Sequence, residues 1–407
     1  MPDAVIVSAA RTPIGRAGKG SLKDIRPDDL VAGVIQTALE RVGGFDPATL
    51  DDLYVGCAEP RDEHGGNIAR RVAVQLGLDQ VPAATVNRFC ASSVQTARMA
   101  FHAIKAGEGD AFVSAGVECV SRYAGFGSAG VDPLRTHNPV FAEAEQRTVA
   151  TAGSNQTWTD PRREGRLPDI YIAMGQTAEN VATLRGISRA EQDEFGVRSQ
   201  NLAEKAIVNG VFDTEISPVT LPDGSVVSKD DGPRAGTTLA AVSALRPVFR
   251  ADGTVTAGNC CPLNDGAAAV VIMSSSRAAE LGVAPLARIV ASGVSALSPE
   301  IMGLGPVEAS RRALARAGMT IEDMDLVEIN EAFAVQVIAS ARDLKIDPER
   351  LNVHGGAIAL GHPFGSTGAR IMTTLLNAMR LRDAQFGLET MCVGGGQGMA
   401  IILERLS

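Results

Sequence analysis

Aromatic residues are scarce in this 407-residue chain, 4% of the total with a single tryptophan. That removes the stacking side chains from which a single-stranded nucleic-acid surface is built. Positive charge is thin as well. Lys and Arg number 38 against 47 Asp and Glu, for a net charge of −9, and no Lys/Arg-rich run is present, so no nucleic-acid partner is expected. A bound anion would need a local positive patch inside a negative protein. No apolar run is long enough to span a bilayer, and the opening MPDAVIVSAARTPIG is too short in apolar residues for a signal peptide or anchor. A cytoplasmic protein without membrane insertion is expected. The six cysteines, Cys57, Cys90, Cys119, Cys260, Cys261 and Cys392, show no CxxC spacing and no nearby paired histidines, so no metal site is expected. In a cytosolic protein structural disulfides are not expected either.

What the chain does have is glycine, 43 residues, and 45% hydrophobic side chains, a mixture suited to aliphatic α/β packing with tight turns. Its length suggests two or three domains. The N-terminal region alternates strands with helices. Strands are expected at 4–8, 53–55, 111–116 and running into Val86. Helices are expected from Asp28 and Asp29, which can cap the run Leu30, Val31, Val34, Ile35, Ala38, Leu39, near 67–76, and from about Ser93 to Lys105, closed by Gly107. The C-terminal region repeats the order, with helices at 307–317 and 367–379 and strands at 326–330, 388–393 and 399–403. This alternation predicts a parallel sheet covered by helices. The strings FDPATLDDLYVG (45–56) and MTIEDMDLVEIN (319–330) set matching joints before matching strands, as a long-period duplication would. The stretch 121–261 is different. It carries turn-rich segments (VDPLRTHNP, TDPRREGRLPD, LPDGSVVSKDDGPRAG) and one amphipathic helix at about 189–209, begun by Ser188 with Glu191 in capping-box spacing. It reads as an insertion, the kind of segment that carries specificity or partner contacts.

Four segments could carry chemistry. In VNRFCASSVQTARMA, Cys90 falls where a strand ends and a helix begins, a position whose free N–H groups and dipole favour a thiolate; a small core cysteine is the equal alternative. In NVHGGAIALGHPFGSTGARI, His362 is held between Gly361 and Pro363, and Gly361, Gly365 and Gly368 permit close approach of another backbone or a ligand. His354 nearby reads as a packing residue. In ETMCVGGGQGMAI, Cys392 ends a strand as an acid/base or a core thiol, and Gly394–Gly396 expose N–H groups able to hold an oxyanion. In VEINEAFA, Asn330 and Glu331 either hold a water or substrate carbonyl or cap the following helix. Ligands in open α/β sheets bind at the carboxyl ends of strands, where these segments lie.

At this point the chain resembles the thiolase family, through RTPIG, NRFCAS, GVECVSR, MGQTAENVA, GTVTAGN, LNDGAAA, MGLGP, NEAF, GGAIALGHPFG and CVGGGQG, an ordered set covering almost its whole length. The resemblance implies two pseudo-symmetric βαβαβαββ halves in a layered αβαβα arrangement with an inserted loop domain. Residues 1–120 with 264–283 would form one half, 284–407 the other, and 121–263 the loop domain. It implies coenzyme A as co-substrate with no permanently bound cofactor, and a homodimer or homotetramer with possible β-oxidation partner enzymes. Residue by residue, it makes Cys90 the acylated nucleophile and His362 its base. Asn330 becomes the holder of a water in one oxyanion hole, and Cys392 the second acid/base. The N–H groups of Cys90 and Gly394 form the other hole. Arg234 and Cys261 would meet CoA, and Met174, Met302 and Phe333 would line the acyl end. The activity implied is that of an acetyl-CoA C-acyltransferase acting on 3-oxoacyl-CoA.

The chain departs from the family pattern at Ser93, where glycine is usual, at Cys260–Cys261, where a serine often meets the pantetheine arm, and at Ala173, where short-chain biosynthetic relatives carry histidine. Alternatives are an acetoacetyl-CoA-specific acetyl-CoA acetyltransferase, a ketoacyl-synthase-type condensing enzyme, and an acyl-CoA carrier on the same scaffold. A dinucleotide-binding oxidoreductase is disfavoured, because GGGQG lacks GxGxxG spacing and leads into a strand.

Overall fold

The computed structural model describes residues 2–124, 137–153 and 156–407; most of VDPLRTHNP, residues 131–136, lies outside the described residues. The chain opens with β1 (Ala4–Arg11), β2 (Gly15–Arg16), α1 (Pro27–Glu40), β3 (Asp52–Gly56), α2 (Ile68–Gln75), β4 (Ala83–Val86), α3 (Ser92–Ala106) and β5 (Ala111–Cys119). An excursion follows with α4 (Ala142–Thr151), α5 (Met174–Arg185), α6 (Arg189–Val208), the ribbon β6 (Val219–Thr220) and β7 (Val226–Val227), and α7 (Leu239–Ser243). The chain returns through β8 (Asn264–Ser274) and α8 (Ser275–Leu281). It then runs β9 (Ala287–Ala296), α9 (Gly305–Ala317), β10 (Leu326–Ile329), α10 (Ala334–Leu344), α11 (Ala357–Leu360), α12 (Thr367–Leu381), β11 (Phe386–Val393) and β12 (Gln397–Arg405).

The strands lie in the order β10-β11-β12-β9-β1-β8-β5-β3-β4. The seam between β9 and β1 is only two residue pairs long, Val5 with Arg288 and Ile6 with Ala287. Outward from the seam the two halves match, β1-β8-β5-β3 on one side and β9-β12-β11-β10 on the other, each with its first strand at the seam and its last beside it. A parallel bridge from Val327 to Leu351 stands where β4 pairs with β3 in the other half. The repetition reaches side chains. Arg41 donates to Ala9 O at 2.6 Å and Arg316 to Ser292 O at 2.6 Å, each tying the first helix region of a half to its first strand. The strings 45–56 and 319–330 both fold as a short 3-10 turn, Pro47–Thr49 and Ile321–Asp323, followed by a strand. The sheet is mixed rather than parallel. β3, β4 and β5 run parallel, but β8 enters antiparallel to β5 and β1. It arrives from the excursion, not from a crossover helix, and nothing forces it to follow its neighbours.

Alternation along the strands builds the layers. Val5 and Val7 face a core shared with α1 and α2, while Ala4 and Ile6 face α3 and α12. In the other half Ile401 and Leu403 face α3 and α12, and Ala400 and Ile402 face α9 and α10. Helices α3 and α12 are therefore clasped between the two half-sheets, giving five layers. Each fully buried aliphatic such as Ile6 or Ile401 contributes about 1.5–3 kcal/mol.

Two local expectations differ in detail. Asp28 and Asp29 do not cap α1. Arg26 takes that position, Pro27 is the first helical residue, and Asp28 pairs with Arg26 at 2.9 Å and Arg71 at 3.4 Å. The capping box at Ser188 and Glu191 forms as expected.

Candidate active site

Cys90 sits on a turn built by side chains. After β4, Asn87 Oδ1 accepts the N–H of Phe89 at 2.8 Å, and its Nδ2 donates to Ala58 O at 3.0 Å. Ser92 Oγ donates to Phe89 O at 2.6 Å and accepts the N–H of Arg88 at 2.9 Å. These bonds hold Phe89 at φ 45°, a left-handed conformation uncommon for a bulky residue. Residues 89–91 form one 3-10 turn before α3. The expected thiolate does not follow. Burial, and then the carboxylate of Glu118, push the Cys90 thiol up to about 12, against the N–H groups of Gly394 and of Cys90 itself, which donate toward Sγ. Desolvation outweighs the helix terminus, so the thiol is protonated at neutral pH and needs a base.

His362 supplies an imidazole with a fixed tautomer. Its Nδ1 lies 2.7 Å from Thr367 Oγ1, whose own hydrogen goes to Pro363 O at 3.0 Å. The proton is therefore on Nδ1 and Nε2 carries the lone pair. Burial, helped by Arg370, pulls the ring down to about 3, so it is neutral. The main chain is held by His362 N–H donating to Asn264 Oδ1 at 2.9 Å. Gly361 has φ 115°, and a Cβ there would lie 2.7 Å from the Asn264 amide carbon. The close approaches allowed by Gly361, Gly365 and Gly368 are all used, but by protein atoms rather than a ligand.

Asn330 Nδ2 meets His362 Nε2 at 3.2 Å. Because Nε2 is an acceptor, the amide must turn its nitrogen to it, leaving Oδ1 buried with no partner among the described residues. Such an acceptor calls for a donor from a water or substrate. Helix capping is not the role of either residue here, since Phe333 holds that position of α10. Glu331 instead accepts from Ser199 Oγ at 2.6 Å, Asn352 Nδ2 at 2.8 Å and Ile358 N–H at 3.1 Å, pinning the loop after β10 to α6 and α11. The sequence did not single out this anchoring role, nor that of Glu118. The Glu118 carboxylate collects Ala58 N–H at 2.8 Å, Glu59 N–H at 3.2 Å, Tyr123 Oη at 2.8 Å and Gly365 N–H at 2.8 Å.

Cys392 lies inside β11, one residue short of its end, and is fully buried. Burial and the neighbouring Cys90 push its thiol upward. The turn after β11 has Gly395 at φ 73° and Gly396 at φ 78°, which presents the Gly394 N–H to Cys90. Met302 and Phe333 share an apolar cluster with Cys392, joined by Trp158, Phe249 and Leu297. Met174, 36% exposed at the start of α5, is not part of that cluster. His354 is half-buried and pulled down to about 4 by burial, and among the described residues no hydrogen bond or ring contact joins it to His362.

Cys261 reaches the site because Cys261 N–H donates to Ala332 O at 3.1 Å and Ala334 N–H to Asn259 O at 2.8 Å. Its thiol is pushed upward by burial, then by Cys260, Cys90 and Cys392. It also lines a cavity of about 360 Å³ with Arg16, Arg234, Thr238, Cys260 and Ile358. Among the described residues neither Arg16 nor Arg234 places its guanidinium on a hydrogen-bond or ion-pair partner, so two unpaired cations face one cavity. That is the local positive patch an anion requires in this acidic protein. Arg16 went unnoticed in the sequence, although it directly follows RTPIG.

Residues 4–276 match the family model described as thiolase, N-terminal domain, and residues 283–405 that described as thiolase, C-terminal domain. The 3-ketoacyl-CoA thiolase of Bacillus subtilis is 43% identical over 99% of this chain and 100% of its own length. The acetyl-CoA acetyltransferase of Cupriavidus necator is 44% identical over 100% of both. Among solved structures, Bacillus anthracis acetyl-CoA acetyltransferase superposes with a TM-score of 0.85 at 38% identity over 100% of this chain and 99% of that one. Human mitochondrial 3-ketoacyl-CoA thiolase in complex with CoA gives 0.84 at 36% identity over 99% and 98%.

Proposed function

The chain belongs to the thiolase family, and on that premise we propose that it cleaves 3-oxoacyl-CoA with CoA to acetyl-CoA and a shortened acyl-CoA. The reverse reaction is Claisen condensation. The observation that supports this reading is that Cys90 has the Gly394 N–H and Cys392 beside it, Asn330 pairs with His362, and Cys261, a neighbour of Cys90 and Cys392, lines a cavity with Arg16 and Arg234, whose guanidinium groups have no partner among the described residues.

His362 Nε2 takes the proton of the Cys90 thiol as Sγ attacks the 3-keto carbon, so that no free thiolate–imidazolium pair has to form beforehand in the buried site. The oxyanion formed there is received by the N–H groups of Cys90 and Gly394. Collapse breaks the C2–C3 bond, and the electron pair leaves as the enolate of acetyl-CoA. Asn330, through a bound water, and protonated His362 meet the charge on its thioester oxygen. Cys392 gives its proton to C2. The Cys392 thiolate then deprotonates CoA, whose sulfur attacks acyl-Cys90 and releases the nucleophile. A covalent intermediate and ping-pong kinetics follow.

Arg16 and Arg234 would meet the phosphates and adenine of CoA, Cys261 its pantetheine arm, and Met302 and Phe333 the acyl group. The domain division we propose is 1–120 with 264–283, the loop domain 121–263, and 284–407. The open edge of β4, whose residues are all half-buried, is suited to pairing with a second copy in a homodimer. The free state of all six cysteines supports a reducing, cytoplasmic setting; among the described residues no helix is long and apolar enough to cross a membrane. The test is loss of the 3-oxo thioester on mixing the enzyme with CoA and 3-oxoacyl-CoAs of increasing length. Cleavage supports the reading, and its length profile identifies the substrate class. A folded sample that cleaves none refutes it.

A further inference from the structure

Helix α12 begins without a cap of its own. Ser366 stands at its N-cap position but makes no capping bond; its hydroxyl donates to Pro363 O at 2.9 Å instead. Thr367 is occupied by His362 and Pro363. The first N–H groups of a helix need acceptors; Thr367 N–H finds one in Phe364 O of the preceding 3-10 turn, and those that follow must find others. One comes from across the layer. Ser93 Oγ, fully buried, accepts the N–H of Ala369 at 2.9 Å. Ser93 lies three residues after Cys90, in the first turn of α3, and its own carbonyl accepts from Thr96 Oγ1 at 2.9 Å.

The two helices touch closely at the same point. A Cβ on Gly368 would fall 2.4 Å from Val94 Cγ2, 2.6 Å from Val94 N and 3.0 Å from Ser93 Oγ. The bond therefore joins the first turn of the helix that follows Cys90 to the first turn of the helix that holds His362 through Thr367. Without it, a buried N–H is orphaned at that junction, and among the described residues no other hydrogen bond ties the two turns.

We propose that Ser93 is a positioning residue: by capping α12 from α3 it sets the placement of Cys90 relative to His362. The proposal rests on the thiolase reading for its rate effect, but not for its geometry. Displacements of an ångström at a reacting pair lower rates by as much as about a hundredfold. Ser93→Ala removes the acceptor with little change of volume, and Ser93→Thr restores a hydroxyl.

Two readouts on Ser93→Ala and Ser93→Thr separate positioning from simple structural support. In thiolysis, Ser93→Ala is expected to lose about ten- to a hundredfold in kcat with KM for CoA unchanged, and Ser93→Thr to recover most of the loss. The second readout is alkylation of Cys90 by iodoacetamide, followed by peptide mass spectrometry as a function of pH, which needs no thiolase activity. Ser93→Ala is expected to alkylate more slowly than the parent near neutral pH, where the base assists, and equally fast at high pH. Parental kcat together with a superposable alkylation profile in folded Ser93→Ala overturns the proposal. If the parent cleaves no 3-oxoacyl-CoA, the functional reading fails, while the alkylation profiles still decide the role of Ser93.

Discussion

Replacing Gly116 with alanine should disable the site without touching a residue that does chemistry. Gly116 lies within β5, and a Cβ there would fall 2.2 Å from Gly365 O, 2.8 Å from Gly365 C and 2.8 Å from Ser366 Cα. Contacts under 3.0 Å are not tolerated, so the carbonyl must retreat by at least 0.8 Å, the difference between 3.0 and 2.2. The atoms in the way are backbone, which no rotamer change can relieve. The strand is paired on both sides, with β3 and with β8, so the loop 363–366 moves. His362 is three residues before Gly365, and Thr367, which fixes its tautomer, is two after. A shift of that size predicts a loss of roughly a hundredfold in kcat/KM, with about 1–3 kcal/mol of destabilisation from overpacking. Thiolysis kinetics and the urea midpoint measure both. Gly33→Ala is the control: nothing lies within 4 Å of its added Cβ, and at this exposed helical position it should gain roughly 0.5–1 kcal/mol with full activity. Gly116→Ala with parental kcat/KM and midpoint would refute the packing argument.

Further outcomes follow from the same geometry. Arg16→Gln and Arg234→Gln should each raise KM for CoA about tenfold, the loss of one charge-assisted bond, and leave kcat near the parental value; unchanged KM in both would detach the cavity from CoA. His64 accepts Cys119 N–H at 3.0 Å, and burial pulls its ring from 6.5 down to about 4. Below pH 6.5 the unfolded chain binds a proton that the folded one refuses, so this contribution is present above 6.5 and lost as pH falls toward 4. His64→Gln keeps an acceptor and does not titrate. Its urea-derived stability should gain about 2 kcal/mol on the parent between pH 6.5 and 5, and an unaltered difference would contradict the assignment. Cys392→Ala should still take an acetyl group from acetyl-CoA but fail in carbon–carbon bond exchange; loss of acetylation as well would undo the division of labour.

Much of the candidate site's local geometry could be read in advance because the proposed residues lie on strand ends and glycine turns with local signatures. His362 between Gly361 and Pro363, and Cys90 before an amphipathic helix, are of this kind. The duplication was also visible, since 45–56 and 319–330 repeat a turn and a strand. What could not be read depended on distance in space. The protonation of Cys90 is decided by burial under elements far along the chain and by Glu118, while the sequence exposed only the favourable helix terminus. The trans cap from Ser93 to Ala369 and the bond from Ser199 to Glu331 join residues 276 and 132 positions apart. Strand β8 left no sign of its direction, because parallel and antiparallel buried strands are equally apolar. Helix α10 was expected only as the helix that follows VEIN, without bounds, because it is buried along most of its length, which blurs helical periodicity.

The central claim is that Cys90 becomes acylated. The enzyme and its Cys90→Ser and Cys392→Ala variants would be mixed with isotopically labelled acetyl-CoA, quenched in acid and mapped by peptide mass spectrometry. Label is expected on the Cys90 peptide of the parent and of Cys392→Ala, and none anywhere in Cys90→Ser. Label on Cys261 or Cys392 instead, or no label on folded parent protein, would contradict it.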